Sequence, residues 1–182
     1  MNSSSTQQIT LKSGLSATIR VLTPDDKEKI VTAFSKLEAE TTYTRFFSYR
    51  KALSEAELDR ACSTDFVNRV ALAAFIQTDA GDIIIGAASY SAHDTTDGAR
   101  IAEVAFTIEE DYHGQGLASI FLKTLIELAR QHGISRLEAD VLASNAPMLA
   151  VFRRCGLPTT TTTEDGVIHL EMNIANSVIK TS

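Results

Sequence analysis

Short runs of branched and aromatic residues, bounded by turn-forming residues, predict strands in the first part of the chain. The segment 9–22 predicts two strands joined by a turn at Ser13-Gly14. Segments 69–77 and 82–91 flank another turn, and segment 99–108 follows a polar turn. These last three segments predict an antiparallel meander.

Helical spacing of apolar residues appears between and after these strands. Thr23 followed by Pro24 predicts a helix start, and Ser54 with Glu57 has the spacing of a capping box. A short helix with a loop is expected near 41–50. The most regular pattern predicts a helix from about Gln115 to His132, with an apolar face formed by Leu117, Ile120, Phe121, Leu125, Leu128 and Ala129.

The order of the remaining elements predicts the fold class. Segment 135–142 predicts a strand, 146–155 a helix, and the turn 164–166 joins a final strand pair. We expect an α/β protein of the α+β type, with a mixed central sheet, an N-terminal antiparallel meander, a βαβ core and helices on both faces. The βαβ unit should be a right-handed parallel crossover. One domain over 9–174, with flexible tails 1–8 and 175–182, is predicted.

Composition excludes several classes of protein. Of 182 residues, 44% are hydrophobic and 22% charged, and the net charge of −6 argues against an extended nucleic-acid interface. No apolar run is long enough to span a membrane, and the polar start lacks a secretory pattern. Cys62 and Cys155 have no metal-type spacing, so we expect free thiols, a cytoplasmic protein and no metal.

A glycine-bearing turn between a strand and a helix carries the first functional signal. The stretch His113-Gly114-Gln115-Gly116 precedes the long helix, whose first amides and dipole favour an anion. A glycine allows the backbone to approach a phosphate closely. The pattern is neither a nucleotide-triphosphate loop nor a dinucleotide fingerprint. The alternative is a turn that binds nothing.

Two motifs together resemble the GNAT superfamily of acetyl-CoA-dependent N-acetyltransferases. The superfamily's [Q/R]-x-x-G-x-[G/A] loop maps onto residues 113–118, and a later pattern maps onto Asn145, Phe152 and Gly156. The stretches TTYTRFFS, AEVAFTIEEDYHGQGLA and NAPMLAVFRRCG are more narrowly similar to the bacterial Pat-type protein lysine acetyltransferases. His113 stands where the family has Gln or Arg, and Phe152 where many members have a proton-donating Tyr.

The resemblance implies acetyl-CoA as cosubstrate, with its pyrophosphate on the loop and its pantetheine arm between two splayed parallel strands. The residues it places at the cofactor are Phe106, Thr107, Ile108, His113, Gly114, Gln115, Gly116, Leu117, Ala118, Ser119, Asn145 and Phe152.

Glu103 is the candidate general base for removing a proton from the acceptor amine. Its sequence neighbours are apolar, so we expect a carboxylate among apolar groups, which favours proton uptake. The resemblance places the family's catalytic glutamate at the same residue. The alternative is a strand-edge glutamate paired with a lysine or arginine on the surface, such as Arg100.

The acceptor implied by the resemblance is a protein lysine, on a protein such as an acyl-CoA synthetase. A small amine or amino acid is the alternative acceptor, and a non-catalytic acyl-CoA-binding module is the alternative from another class. The acidic run 109–111 is typical of a solvated turn that could attract a lysine-bearing substrate. Residues considered for the acceptor entrance are Tyr43, Arg45, Phe46 and Phe47.

Overall fold

One sheet organises the protein in a computed structural model that describes residues 6–46 and 52–175, apart from the side chains of Thr44 and Phe46. The eight strands of the described residues follow the order β1-β2-β3-β4-β5-β6-β8-β7. Their bounds are β1 Gln7–Thr10, β2 Ser16–Val21, β3 Arg69–Thr78, β4 Gly81–Asp94, β5 Arg100–Ile108, β6 Arg136–Leu142, β7 Thr159–Glu164 and β8 Val167–Asn173.

Helices cover both faces of this sheet. The helices are α1 Lys27–Lys36, α2 Ala39–Phe46, α3 Glu55–Ala61, α4 Leu117–Gln131 and α5 Ala146–Arg154, with short 3-10 turns at Pro24–Asp26 and Glu110–Tyr112. Helix α4 places seven buried side chains, among them Phe121, Leu125 and Leu128, in the larger core. A smaller core around Phe75 and Ala73 packs against α1 on the other face. The mixed sheet and two-sided packing are confirmed.

The only parallel pair among the described strands, β5 with β6, is short. It extends over three positions, from Ile101 opposite Arg136 to Glu103 opposite Glu138. Beyond Glu103 the two strands are no longer paired, while β5 remains paired with β4 as far as Ile108. A gap therefore opens between β5 and β6 at the end of the sheet from which the loop before α4 departs.

Two boundaries differ from the sequence-based predictions. Strand β1 begins at Gln7, inside the segment 1–8 that was expected to be a tail, because Gln7 pairs with Ile19 of β2. The helix expected from Thr23 starts as a 3-10 turn and becomes α-helical at Lys27. The capping box of α3 is confirmed, since the amide of Glu57 donates to Ser54 Oγ and the amide of Ser54 to Glu57 Oε2.

Candidate active site

The loop between β5 and α4 presents a row of free backbone amides. Gly114 and Gly116 adopt left-handed backbone conformations, with φ of +72° and +89°, and Gly116 is the N-cap of α4. Within 6–46 and 52–175, six consecutive amides have no hydrogen-bond acceptor: those of Gly114, Gln115, Gly116, Leu117, Ala118 and Ser119. Such a row at the start of a long helix suits an anion.

The β1–β2 turn braces this loop. The amide of Ser13 donates to the side-chain oxygen of Gln115 at 2.9 Å, and the amide of Lys12 donates to the Gln115 carbonyl at 3.3 Å. The side chain of Gln115 is therefore engaged within the protein, and its backbone amide is the group left for a ligand. This contact joins residues about one hundred positions apart, so no local pattern indicates it.

The imidazole of His113 is also engaged. Its Nε2 lies 2.9 Å from the carbonyl oxygen of Ile108, and because a carbonyl only accepts, Nε2 carries the hydrogen. The ring is exposed to solvent and holds the start of the loop against the end of β5. Its remaining ring nitrogen, Nδ1, is the one left to face a ligand.

Backbone groups of β5 alternate between β4 and the gap. The carbonyl of Arg100 accepts from Ser135, next to β6, whereas the amide of Glu109 donates to Ile85 of β4. The hydrogen-bonding direction of the backbone alternates from one residue of a strand to the next. The backbone amides of Phe106 and Ile108 therefore face the gap, and the backbone groups of Thr107 face β4. The side chain of Thr107 lies on the wall of a cavity described below.

The gap is closed on the α5 side by aromatic packing. The ring of Phe106 meets that of Phe152 edge-on, with centroids 5.9 Å apart, and Phe152 is 1% exposed. Asn145 is the N-cap of α5, where its side-chain oxygen accepts the amide of Met148 at 3.2 Å. Both residues thus have structural roles beside the gap.

Glu103 stands where β5 and β6 separate. The expectation of apolar surroundings is wrong, because its side chain is exposed. Ala102 and Val104 are buried in the larger core, and strand alternation turns Glu103 to the opposite face. The alternative pairing with Arg100 is also wrong, since that guanidinium contacts Asp94, Asn68 and the Val67 carbonyl.

Glu103 faces a cavity of about 460 Å³ between the sheet and helices α1–α3. One wall is apolar and includes Ile30, Ala33 and Phe34 of α1. The charged residues of the lining are Arg45, Glu57, Arg60, Arg69, Glu103 and Glu109. Burial lowers the pKa of Arg45, and the charges of Glu103 and Glu57 act against that shift. Burial also raises the pKa of Glu109, assisted by its acidic neighbours Asp111 and Glu110.

Only part of this lining was expected from the sequence. Arg45 does line the cavity, and Glu109 does so although the run 109–111 was interpreted as a solvated turn. The carboxylate of Glu110 accepts the amide of Glu38, which ties that run to the start of α2. The side chain of Phe46 and the whole of Phe47 lie outside the described residues. Arg60 and Arg69 were missed, because α3 and β3 are brought to Glu103 only by tertiary packing.

A second polar cluster lies on β6 and β8. Glu138, His169 and Glu171 each offer one potential metal-ligand atom, and these atoms all lie within 4.8 Å of one another. His169 Nδ1 is also 2.7 Å from Asp140 Oδ1. No metal was expected from sequence spacing, and strand pairing produces this arrangement from distant segments. In the part of the chain described, no helix combines the length and apolar character needed to cross a membrane.

Comparisons with known proteins agree with this geometry. The family model described as Acetyltransferase (GNAT) domain matches residues 17–158. The chain is 31% identical over 141 residues to Acetyltransferase Pat of Mycolicibacterium smegmatis, covering 76% of this chain and 40% of that relative. It is 30% identical over 138 residues to Acetyltransferase PA5475 of Pseudomonas aeruginosa, covering 76% and 73% of the two chains.

Among solved structures, the GNAT domain of S. lividans PAT superposes with a TM-score of 0.80 at 34% identity. That match covers 92% of this chain and 96% of the other. By contrast, the chain spans less than half the length of the mycobacterial relative.

Proposed function

The chain belongs to the GNAT acetyltransferase family, and from that membership we propose that it transfers the acetyl group of acetyl-CoA directly to a lysine side chain of a protein. Its similarity to Acetyltransferase Pat and to the GNAT domain of S. lividans PAT supports this choice of acceptor. The observation that carries the proposal is Glu103, placed at the fork of β5 and β6 and facing the cavity.

The loop residues fit the diphosphate of acetyl-CoA. Six amides without acceptors and the positive end of the α4 dipole meet at Gly116, which has no side chain to obstruct a phosphate. Gly114, Gln115, Leu117, Ala118 and Ser119 contribute backbone groups to the same row. His113 supports the row through its bond to Ile108.

The gap fits the pantetheine arm. The amide groups of pantetheine need hydrogen-bond partners. The backbone amides of Phe106 and Ile108 face the gap, where no neighbouring strand pairs with them. The Phe106–Phe152 pair closes the far side, and Asn145 borders it at the start of α5. The amide of Phe106 is the donor that we place at the thioester carbonyl, where negative charge develops.

Glu103 accepts the proton that a lysine ammonium must lose before its nitrogen can attack. The nitrogen then forms a bond to the thioester carbonyl carbon, the carbon–sulfur bond breaks, and the CoA thiolate leaves. The nitrogen gives up its remaining extra proton to solvent, so that the product is a neutral amide. Arg45 lines the same cavity, and the charge of Glu103 raises the pKa of its guanidinium against the effect of burial. Phe152 has no hydroxyl, so this route uses no tyrosine as a proton donor.

A row of carboxylates supports a positively charged acceptor. Glu103 lies opposite Glu138 on β6, and Glu138 lies opposite Glu171 on β8. Residues directly opposite each other share a sheet face, so the three carboxylates form a strip beginning at the candidate base, and its last member, Glu171, lies 3.5 Å from the guanidinium of Arg136. Such a strip would attract a lysine-bearing segment.

A small amine or amino acid is the second candidate acceptor, and the cavity favours it. Its volume of about 460 Å³ is in the range of small-molecule sites. Three arginines on its wall, Arg45, Arg60 and Arg69, would suit a carboxylate on the acceptor.

The test is thiol release from acetyl-CoA with three acceptors in parallel: a lysine-bearing acyl-CoA synthetase, a panel of amino acids and a polyamine. We expect the synthetase to be acetylated fastest, with the modified lysine identified by mass spectrometry. Faster release with an amino acid would favour the second candidate. Binding of CoA without turnover on any acceptor would favour a non-catalytic module. The free thiols Cys62 and Cys155 agree with a cytoplasmic setting, which is part of the proposal.

The role of Glu103 is tested by Glu103→Gln, which keeps the shape and removes the base. We expect kcat at pH 7 to fall by about 10² to 10⁴, the usual contribution of a general base, with CoA affinity unchanged. Raising the pH should restore part of the rate, because free amine becomes plentiful. Glu28→Gln, an exposed glutamate on α1, is the matched control. An unchanged kcat for Glu103→Gln would remove Glu103 from the mechanism.

A further inference from the structure

The first position of the loop supplies no cation that is free of protein contacts. His113 replaces the Gln or Arg typical of the family, and its Nε2–H is already bonded to the Ile108 carbonyl. A diphosphate carries negative charge that backbone amides solvate but do not neutralise. A cation near the amide row would therefore strengthen binding.

Lys12, in the β1–β2 turn, lies across this row. A β-carbon placed on Gly116 would be 3.6 Å from Cε of Lys12 and 4.0 Å from its Cγ. The backbone of Lys12 is held there by its bond to Gln115, and the neighbouring bond from Ser13 fixes the turn. Its ammonium, bonded to Cε, is thus beside the last residue of the loop.

The Lys12 side chain is exposed, and within the described ranges no carboxylate lies within 4.0 Å of its ammonium. Lys27, the first residue of α1, differs, because the carboxylates of Glu55 and Asp59 hold its ammonium. The flexible aliphatic chain and compact ammonium of a lysine are suited to binding a phosphate.

We propose that Lys12 binds the diphosphate of acetyl-CoA, so that the charge missing from the loop's first position is supplied by the β1–β2 turn. The inference rests on the proposed function, since it assumes that the loop holds CoA. It adds a residue about one hundred positions from the loop, outside both motifs of the family pattern. Lys12 is a binding residue here and takes no part in the chemical step.

Calorimetric titration of CoA and of dephospho-CoA into the wild type, Lys12→Gln and Lys12→Arg tests the proposal. We expect Lys12→Gln to weaken CoA about 10-fold at low salt, as for the loss of a charge-assisted hydrogen bond. The difference in CoA affinity between the wild type and Lys12→Gln should shrink at 0.5 M salt, because salt screens an exposed charge. Lys12→Arg should stay within about 3-fold of the wild type, since the charge is kept.

Dephospho-CoA separates the diphosphate from the 3′-phosphate. If Lys12 binds the diphosphate, Lys12→Gln weakens both ligands equally. A loss confined to CoA would overturn the assignment, because the lysine would then bind the 3′-phosphate. In the acetylation assay, KM for acetyl-CoA should rise while kcat at saturation stays unchanged.

The control is Arg136→Gln, which changes the net charge equally at the opposite end of the sheet, where Arg136 begins β6. We expect it to alter CoA affinity less than 2-fold. If wild type and Lys12→Gln bind CoA equally, the inference on Lys12 is wrong and the proposed function stands. If the wild type itself does not bind CoA, both are overturned. Circular dichroism melting verifies that each variant is folded.

Discussion

The ion pair between Asp26 and Arg20 joins the start of α1 to β2, and we expect its removal to destabilise the fold measurably. The two terminal guanidinium nitrogens of Arg20 each donate a hydrogen bond to the Asp26 carboxylate at 2.7 Å. The backbone amide and the hydroxyl of Thr23 donate to the same carboxylate. Asp26 is 2% exposed. The perturbation is Asp26→Asn, which keeps the size and removes the charge.

The magnitude follows from the pKa of Asp26. Burial by itself would raise that pKa, but hydrogen bonds from Arg20 and Thr23 lower it from 3.8 to about 2. A carboxyl group with a lowered pKa contributes stability that is present above its unfolded pKa and lost as the pH falls through the folded one. At about 1.4 kcal/mol per unit, the contribution at pH 7 is about 2 to 3 kcal/mol, and roughly half of it remains at pH 3.

Thermal unfolding by circular dichroism measures the effect. For a chain of 182 residues, we expect Asp26→Asn to lower Tm at pH 7 by about 5 to 10 °C. The difference from the wild type should narrow between pH 5 and pH 3. Asp25→Asn, an exposed carboxylate in the same turn, is the control and should change Tm little. The reasoning would be refuted if Asp26→Asn lowered Tm at pH 7 by less than about 2 °C, or if the Tm difference from the wild type stayed constant down to pH 3.

Three further substitutions test the site and the packing beside it. Gly116→Val should nearly abolish CoA binding in calorimetry, because a branched residue disfavours φ of +89° and crowds the amide row; normal binding would mean that the phosphate lies elsewhere. Gly86→Ala should lower stability by about 1 to 3 kcal/mol in denaturant unfolding, since its Cβ would lie 3.0 Å from Leu117 Cδ2 and 3.2 Å from the Thr107 carbonyl oxygen; unchanged stability would show that Leu117 can move. Phe152→Tyr should leave kcat within about 3-fold, because the CoA thiolate leaves without a proton donor; a large acceleration would reveal a missing acid.

Local patterns were sufficient where the physics is local. The helix from Leu117 to Gln131, the turn at Gly116 and the capping box at Ser54 follow from helical spacing, backbone freedom and side-chain capping within a few residues. The candidate base was also identifiable, since Glu103 is the one charged residue from Ile101 to Ile108 in the strand segment. Its surroundings were not, because its sequence neighbours occupy the other face.

The order of strands and helices, the glycine loop before α4 and the position of Glu103 on β5 could all be predicted from local sequence patterns, because each depends on residues close together along the chain. The groups that contact these elements could not be predicted in this way, because they come from distant parts of the chain. Pairing of β5 with β6 ends at Glu103 and opens the gap, the β1–β2 turn brings Lys12 to Gly116, and α3 with β3 brings two arginines to the cavity. Periodicity specifies which face a residue occupies, whereas strand order and packing specify what that face contacts.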